Sequence, residues 1–274
     1  MRRGLSERQA CRLMGIGRSS RRYEPRPDRN ELLKKRLMEI ARPGIGYRLA
    51  WGTLRKEFPG LNPKRVYRLW KELGLSKKRR RYRKIRSGQT VPTQAERPNH
   101  VWCMDFGWDW CLNGTKLKLL VVKDEFTREW LHVEVATSLT SAKLVKILTS
   151  LFDAYGEPEF LRSDNGPEFI SRVLAVWLST TKARSRFIKP GSPWQNGHAE
   201  SLMSRLRAEI LDVEVFYNLA DAQVKLSLFR KFYNEERPNS AIGYLTPSEF
   251  AAQVRSSGRA TPSLRSEPAT TRES

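Results

Sequence analysis

Histidine and cysteine are scarce, at 3 of each in 274 residues. Cys11, Cys103 and Cys111 form no CxxC pair, and an odd set suits a reduced cytosolic compartment better than a disulfide framework. His100, His132 and His198 are too far apart for zinc-finger spacing, which argues against a structural zinc site. Long apolar runs are missing as well. The most apolar stretch, Leu117 to Val122, is far too short to span a bilayer, and no apolar segment follows Met1 as a secretion signal would. No long heptad repeat is present. These absences describe a cytoplasmic chain with no membrane partner.

Positive charge is abundant and unevenly placed. Of 51 Lys and Arg, 29 lie in residues 1–97 beside only 8 of the 29 Asp and Glu, so nearly all of the +22 net charge belongs to the first third. Clustered cations neutralise phosphates, which points to a basic nucleic-acid-binding module joined to a nearly neutral globular domain. A solubilising basic arm is the alternative. With 39% hydrophobic residues the remainder can bury a sizeable core.

The pattern divides the chain into five parts. Residues 1–75 read as a helix-turn-helix region. Ser6 is an N-cap before an apolar face of Ala10, Leu13 and Met14, a Gly15-Ile16-Gly17 turn follows, and Ser19 caps a second, Arg-rich helical turn. After Gly46 to Phe58 and a Pro59-Gly60 break, Asn62 caps and Pro63 opens a helix ending near Gly74. Along it Val66, Leu69 and Leu73 take the core-facing spacing, and Lys64, Arg65, Arg68 and Lys71 fall on other faces. That is the pattern of a DNA-contacting recognition helix, or of an ordinary amphipathic surface helix. Residues 76–97 are a basic linker with little apolar periodicity. Residues 98–236 give three consecutive strands, a helix from about Ser141 to Tyr155, then alternating strand and helix. This predicts an α/β core with a mixed five-stranded sheet flanked by helices. Residues 237–254 form a C-terminal segment, and the Ser/Thr/Pro-rich stretch 255–274 predicts a disordered tail.

Three acidic residues stand apart. Asp105 lies inside the first strand among Trp102, Met104, Phe106 and Trp108, where a carboxylate is costly without a partner. Asp164 ends the fourth strand in "LRSDNGPEF", where Asp-Asn-Gly is by itself strong turn chemistry. Glu200 falls early in the helix after the Pro190 to Gly197 loop. Their convergence would require the first and fourth strands to be neighbours, and would be repulsive without divalent cations at the centre.

With 35 residues between Asp164 and Glu200, these three resemble the acidic triad of the retroviral-integrase and transposase superfamily, whose core has a ribonuclease H-like fold. The words "VWCMDF", "DNGPEFIS", "FIKPGSPWQNGHAES" and "YNEERPNSAIGYLTPSEF" are similar to insertion-sequence transposases of the IS-three type, in particular their second reading-frame product. The resemblance runs from about Leu5 to Phe250. It departs at Asn239, where the family usually has His, and at "MSRLR" after the Glu-Ser pair.

The resemblance implies a DDE-type transposase. Two Mg²⁺ or Mn²⁺ ions held by Asp105, Asp164 and Glu200 would support in-line attack of water or a 3′-hydroxyl on DNA phosphodiesters, giving cleavage and strand transfer at the element's ends. It implies DNA contacts at Arg207, two turns beyond Glu200 on the same helix face, and at Lys189, Gln195 and Asn196. The Asp164 carboxylate is expected to face Asp105 instead of capping its own backbone. Implied partners are double-stranded DNA, as terminal inverted repeats and target, further copies of the chain on that DNA, and a first-frame product supplying the missing heptads. The implied location is the bacterial nucleoid. A DNA-binding regulatory or inhibitory subunit without catalysis of its own is the alternative, and a nuclease that cuts without joining is a weaker one.

Overall fold

The computed structural model describes residues 5–24, 28–76, 94–187 and 197–257. Lys189, Gln195 and Asn196, most of the basic linker, and residues 258–274 lie outside the described residues. The chain divides into two compact units, Met1–Glu39 and Ile40–Ser274.

In the first unit, α1 (Glu7–Leu13) starts at Ser6 as expected. The Ser6 hydroxyl accepts the Gln9 amide at 3.3 Å, and the Gln9 side chain accepts the Ser6 amide at 3.0 Å, closing a capping box. α2 (Arg18–Arg21) starts from Gly17, not from the expected Ser19. The expected apolar face also fails, since Leu13 and Met14 are over 70% exposed and Cys11 is the buried side chain. A helix of about two turns presents only one narrow inward stripe, here centred on Cys11. α3 (Glu31–Ile40), which the sequence reading passed over, has Leu33 and Leu37 buried at i, i+4 spacing.

The second unit opens with α4 (Tyr47–Leu54) and α5 (Pro63–Glu72). Asn62 accepts the Lys64 amide at 2.8 Å and Pro63 takes the first helical position, as the sequence predicts. Val66 and Leu69 are buried, but Trp70 is the third core residue in place of Leu73. The helix ends at Glu72, so Leu73 caps it and leaves the helical register. Lys64, Arg65, Arg68 and Lys71 are all exposed.

The sheet comprises β1 (Val101–Trp110), β2 (Lys116–Asp124), β3 (Trp130–Ala136), β4 (Phe160–Ser163) and β5 (Arg184–Phe187), in the order β3-β2-β1-β4-β5. The first three strands are antiparallel neighbours, while β4 runs parallel to both β1 and β5. Helices α6 (Ser141–Tyr155) and α7 (Arg172–Leu178) supply one layer, and α8 (Gly197–Leu206) and α9 (Leu219–Glu235) the other. A π-helical turn, Arg207–Leu211, follows α8, and α10 (Pro247–Ser257) closes the described chain, two residues beyond the point where a disordered tail was expected to begin. The result is the expected mixed sheet flanked by helices, with the ribonuclease H-like arrangement.

Strand alternation divides the core between the two layers. Trp102, Met104, Leu120 and Val122 pack with Leu144, Leu148 and Phe152 of α6, whereas Leu117, Leu119 and Val121 pack with Leu202 and Leu206 of α8 and Leu226 of α9. Each fully buried Leu or Val contributes on the order of 2 kcal/mol. A one-residue slip of β1 would turn Trp102 and Met104 out of their layer, so the same burial fixes the face on which Asp105 appears. Gly107, two residues beyond Asp105 on that face, allows α8 to approach. A Cβ there would meet Met203 Cε at 2.7 Å.

Candidate active site

β1 carries Asp105 in register with Val121 of β2, on the face covered by α8. On its other side β1 pairs with β4, placing Cys103 opposite Arg162, so Asp164 lies just past the end of β4 alongside Asp105. Glu200 is exposed in the first turn of α8, where the helix dipole favours an anion. The strand order thus meets the condition for bringing the three elements together.

The electrostatics register this proximity. Burial pushes the Asp105 carboxyl up to about 6, and the negative charges of Asp164 and then Glu200 push in the same direction against the Phe106 backbone amide. Partial burial also raises Glu200. Asp164 departs from expectation in one respect, because its Oδ1 does cap its own turn, accepting the Gly166 amide at 3.0 Å. Turn and electrostatic coupling coexist because a carboxylate has two oxygens and several lone pairs.

Three carboxylates are hard oxygen donors, the kind Mg²⁺ and Mn²⁺ take. The donor chemistry fits. Among the described residues no three acidic, His or Cys side chains are grouped closely enough to hold a metal ion, so Asp105, Asp164 and Glu200 do not form a preformed site.

A second set of charges supports the segments that carry Asp164 and Glu200. Arg162 of β4 donates through one guanidinium nitrogen to both oxygens of Glu125 at 2.8 and 2.9 Å, with side chains 4% and 1% exposed. Arg128, in the same β2–β3 turn at φ 67°, donates to the ring of His198 in the first turn of α8. Burial, and then the Arg128 and Lys123 charges, hold His198 down at about 3, so it accepts as a neutral ring. Asp124 anchors the turn by accepting the Phe126 and Thr127 amides at 2.7 and 2.8 Å. One turn therefore ties the end of β4, next to Asp164, to the start of α8, next to Glu200.

Arg207 is exposed and donates to the Trp108 carbonyl at 3.2 Å, three residues beyond Asp105. It begins the π-helical turn, so it is not two regular α-turns along the face of Glu200. The wider π-turn changes the angular step at that residue. Lys64, Arg65, Arg68 and Lys71 line exposed faces of α5 rather than the carboxylate site.

The sequence matches the integrase core domain family over residues 95–193 and again over residues 181–247. It is 39% identical over 265 residues to a 31.7 kDa protein of insertion element IS407 from Burkholderia multivorans, covering 93% of this chain and 94% of that one. The chain belongs to the insertion-element transposases with an integrase core. The transposase is also 38% identical over 255 residues to a 39.2 kDa protein of IS476 from Xanthomonas euvesicatoria (92% and 74% covered), and 28% identical over 232 residues to transposase InsD of IS2D from Escherichia coli (77% and 74%). In fold it is similar to a chain of the simian T-cell lymphotropic virus intasome in complex with PP2A regulatory subunit B56 gamma, at TM-score 0.50 and 16% identity, covering 81% of this chain and 77% of that one.

Sequence reading missed Glu125, Arg128, Arg162 and His198 of the transposase. A signal was present, since Lys123, Asp124 and Glu125 directly follow the apolar run Leu119–Val122 and Arg162 interrupts the apolar start of β4. Buried charges at strand ends need partners, and those partners are distant in sequence. Asn239, where the resemblance departs, is buried and structural, its side chain accepting the Ala241 amide at 3.0 Å.

Proposed function

We propose that this transposase carries out metal-dependent DNA strand cleavage and strand transfer at the ends of its insertion element, as a DDE-type polynucleotidyl transferase. The observation that supports it most is the approach of Asp105, Asp164 and Glu200 from three separate elements, where burial first and then the charges of Asp164 and Glu200 raise Asp105. Two divalent ions, Mg²⁺ or Mn²⁺, bound by these carboxylates would supply charge neutralisation and oxygen activation for in-line displacement at a phosphodiester.

The chain's own groups have separable tasks. Asp105 is held by a strand whose register is fixed on both sides, Asp164 by its own turn, and Glu200 by a helix whose first turn is fastened through His198 and Arg128. Preorganised carboxylates avoid reorganisation when charge develops. Arg207 stands beside β1 to contact a DNA phosphate, and Lys189, Gln195 and Asn196 are assigned to DNA on sequence grounds alone.

In the same reading, residues 1–75 bind the terminal repeats, with Lys64, Arg65, Arg68 and Lys71 on phosphates or bases. Residues 76–97 form a basic linker, 98–236 the catalytic core and 237–254 a C-terminal segment. The partners are terminal inverted repeats and target DNA, further copies of the chain, and a first-frame product. The setting is the bacterial nucleoid. Among the described residues no helix is long and apolar enough to cross a membrane.

The test is cleavage of a labelled terminal-repeat duplex with Mg²⁺, compared with Asp164→Asn. Asn keeps an acceptor for the Gly166 amide, so folding and DNA binding persist while cleavage is lost. Wild-type chain that binds the duplex but never cuts it, with Mg²⁺, Mn²⁺ and the first-frame product added, supports the regulatory subunit instead.

A further inference from the structure

Beyond Met104 the face of β1 opposite Asp105 changes character. Trp102 and Met104 are buried there, but Trp108 is 42% and Trp110 60% exposed. Exposed tryptophans adjacent on one strand face are unusual in a soluble domain and mark a surface that something covers. Cations surround the two rings. Lys116 Nζ lies 4.2 Å from the Trp108 ring centre and 5.6 Å from that of Trp110, and Lys118 Nζ lies 5.0 Å from Trp108. The charge of Lys118 is met by Glu168, whereas among the described residues Lys116 has no carboxylate partner. A groove of about 360 Å³ runs beside Trp108, lined also by Lys118, Thr140, Ser141, Pro167 and Glu168.

The position is as informative as the composition. Trp108 is three residues from Asp105, roughly 10 Å along a strand. Pro167 and Glu168 lie three and four residues after Asp164 in the chain, and Arg207 donates to the Trp108 backbone carbonyl. Aromatic rings beside a cation without a carboxylate partner, here Lys116, suit single-stranded nucleic acid, with bases stacking on the rings and a phosphate meeting the ammonium group. We infer that Trp108 and Trp110, with Lys116, form a stacking platform for unpaired nucleobases of a DNA end, on the face of β1 opposite Asp105 and about 10 Å from it along the strand. This deepens the strand-transfer reading and rests on it for the location of the DNA. The exposed Lys116 side chain swings from the ring to a phosphate as a base takes its place, so the cation–π contact is exchanged and not lost.

The occupant is an unpaired base rather than intact duplex, because inside a duplex both faces of each base are already covered by its stacked neighbours. The probe is a terminal-repeat duplex of this element carrying a three-nucleotide single-stranded 5′ tail, with 2-aminopurine at each tail position in turn, against the fully paired duplex. Binding is measured on the full chain in EDTA, so no chemistry is required. Wild type is expected to prefer the tailed duplex about tenfold, the scale of one base–aromatic stack, and to quench one tail position selectively. Trp108→Ala with Trp110→Ala loses both preference and quenching, while Trp108→Phe, which keeps a ring and the fold, retains most of each. Equal preference in wild type and the double Ala variant overturns the platform, and so does loss of both effects in Trp108→Phe at unchanged duplex affinity. A chain that shows the preference but no metal-dependent cleavage, even with Mg²⁺, Mn²⁺ and the first-frame product added, keeps the platform and sinks the strand-transfer reading. A chain that cleaves without the preference does the reverse.

Discussion

Arg237 and Glu209 form a two-pronged ion pair, Nη2 to Oε1 at 2.5 Å and Nε to Oε2 at 2.8 Å, with side chains only 4% and 5% exposed. Glu209 belongs to the π-helical turn that continues α8, and Arg237 belongs to the "YNEERP" word. Gly44, at φ 83°, lies so close that a Cβ there would overlap Glu209 Cγ at 2.2 Å. Nearby, Tyr244 and Pro238 pack on Gly52 of α4, and Arg55 donates to the Gly243 carbonyl at 2.8 Å. The C-terminal segment therefore joins the end of the Glu200 helix to α4.

Removing one partner leaves the other charge buried and unpaired, which costs about 3–5 kcal/mol. Arg237→Ala should lower the denaturation midpoint strongly, and Arg237→Met with Glu209→Leu should recover most of the loss. Urea melts of the three proteins check this. A double variant as unstable as the single one would show that the pair does more than satisfy its own charges.

Gly107 predicts a steric effect on the site. Ala is tolerated, because the atoms it meets are the flexible end of Met203. Val adds two branches against α8 and should displace the helix that carries Glu200, reducing Mg²⁺-dependent cleavage at least tenfold while leaving secondary structure intact. Cleavage rates and circular dichroism of Gly107→Ala and Gly107→Val decide it, and equal activity of the two would contradict the close approach.

The raised Asp105 gives a pH prediction with a definite sign. Its folded value of about 6 exceeds its ordinary 3.8, so between these values the folded state binds more protons. Stability from this group is full below about pH 4 and is lost as pH rises through about 6. The metal-free chain should therefore lose melting temperature between about pH 4 and pH 6.5, and Mg²⁺ should raise it more at the higher end, where the carboxylates are charged. Asp105→Asn should flatten both dependences in differential scanning fluorimetry.

Much of the site was legible because each carboxylate lies in a word of its own and strand alternation assigns Asp105 a face. The rest depends on contacts between distant segments. α9 lacks a local signal because its buried Ala222, Leu226 and Tyr233 are separated by polar and charged residues, and its inward stripe is defined by the sheet and α10 packing against it. The π-turn at Arg207 has no local sequence cue, and the Arg162–Glu125 pair joins residues far apart in the chain. The turn role of Asp164 was read correctly from Asp-Asn-Gly. That role does not exclude electrostatic proximity to Asp105, because one carboxylate oxygen caps the turn and the charge still acts on its neighbour.

The exposed cations of α5 should act through phosphates. Replacing Lys64, Arg68 and Lys71 by Ala should weaken duplex binding and reduce the slope of log affinity against log salt by about one for each contact removed. Filter binding across a salt series measures it. A slope equal to wild type would remove α5 from the DNA interface.

The most direct test of the central claim is joining. A terminal-repeat duplex with a free 3′-hydroxyl is incubated with supercoiled target, Mg²⁺ and either wild-type chain or Asp105→Asn, Asp164→Asn or Glu200→Gln, adding the first-frame product in every arm. The account predicts joined product with wild type only, loss of at least about a thousandfold in each variant, and unchanged repeat binding in all four. Joining at near wild-type rate by any one of the three variants would contradict it.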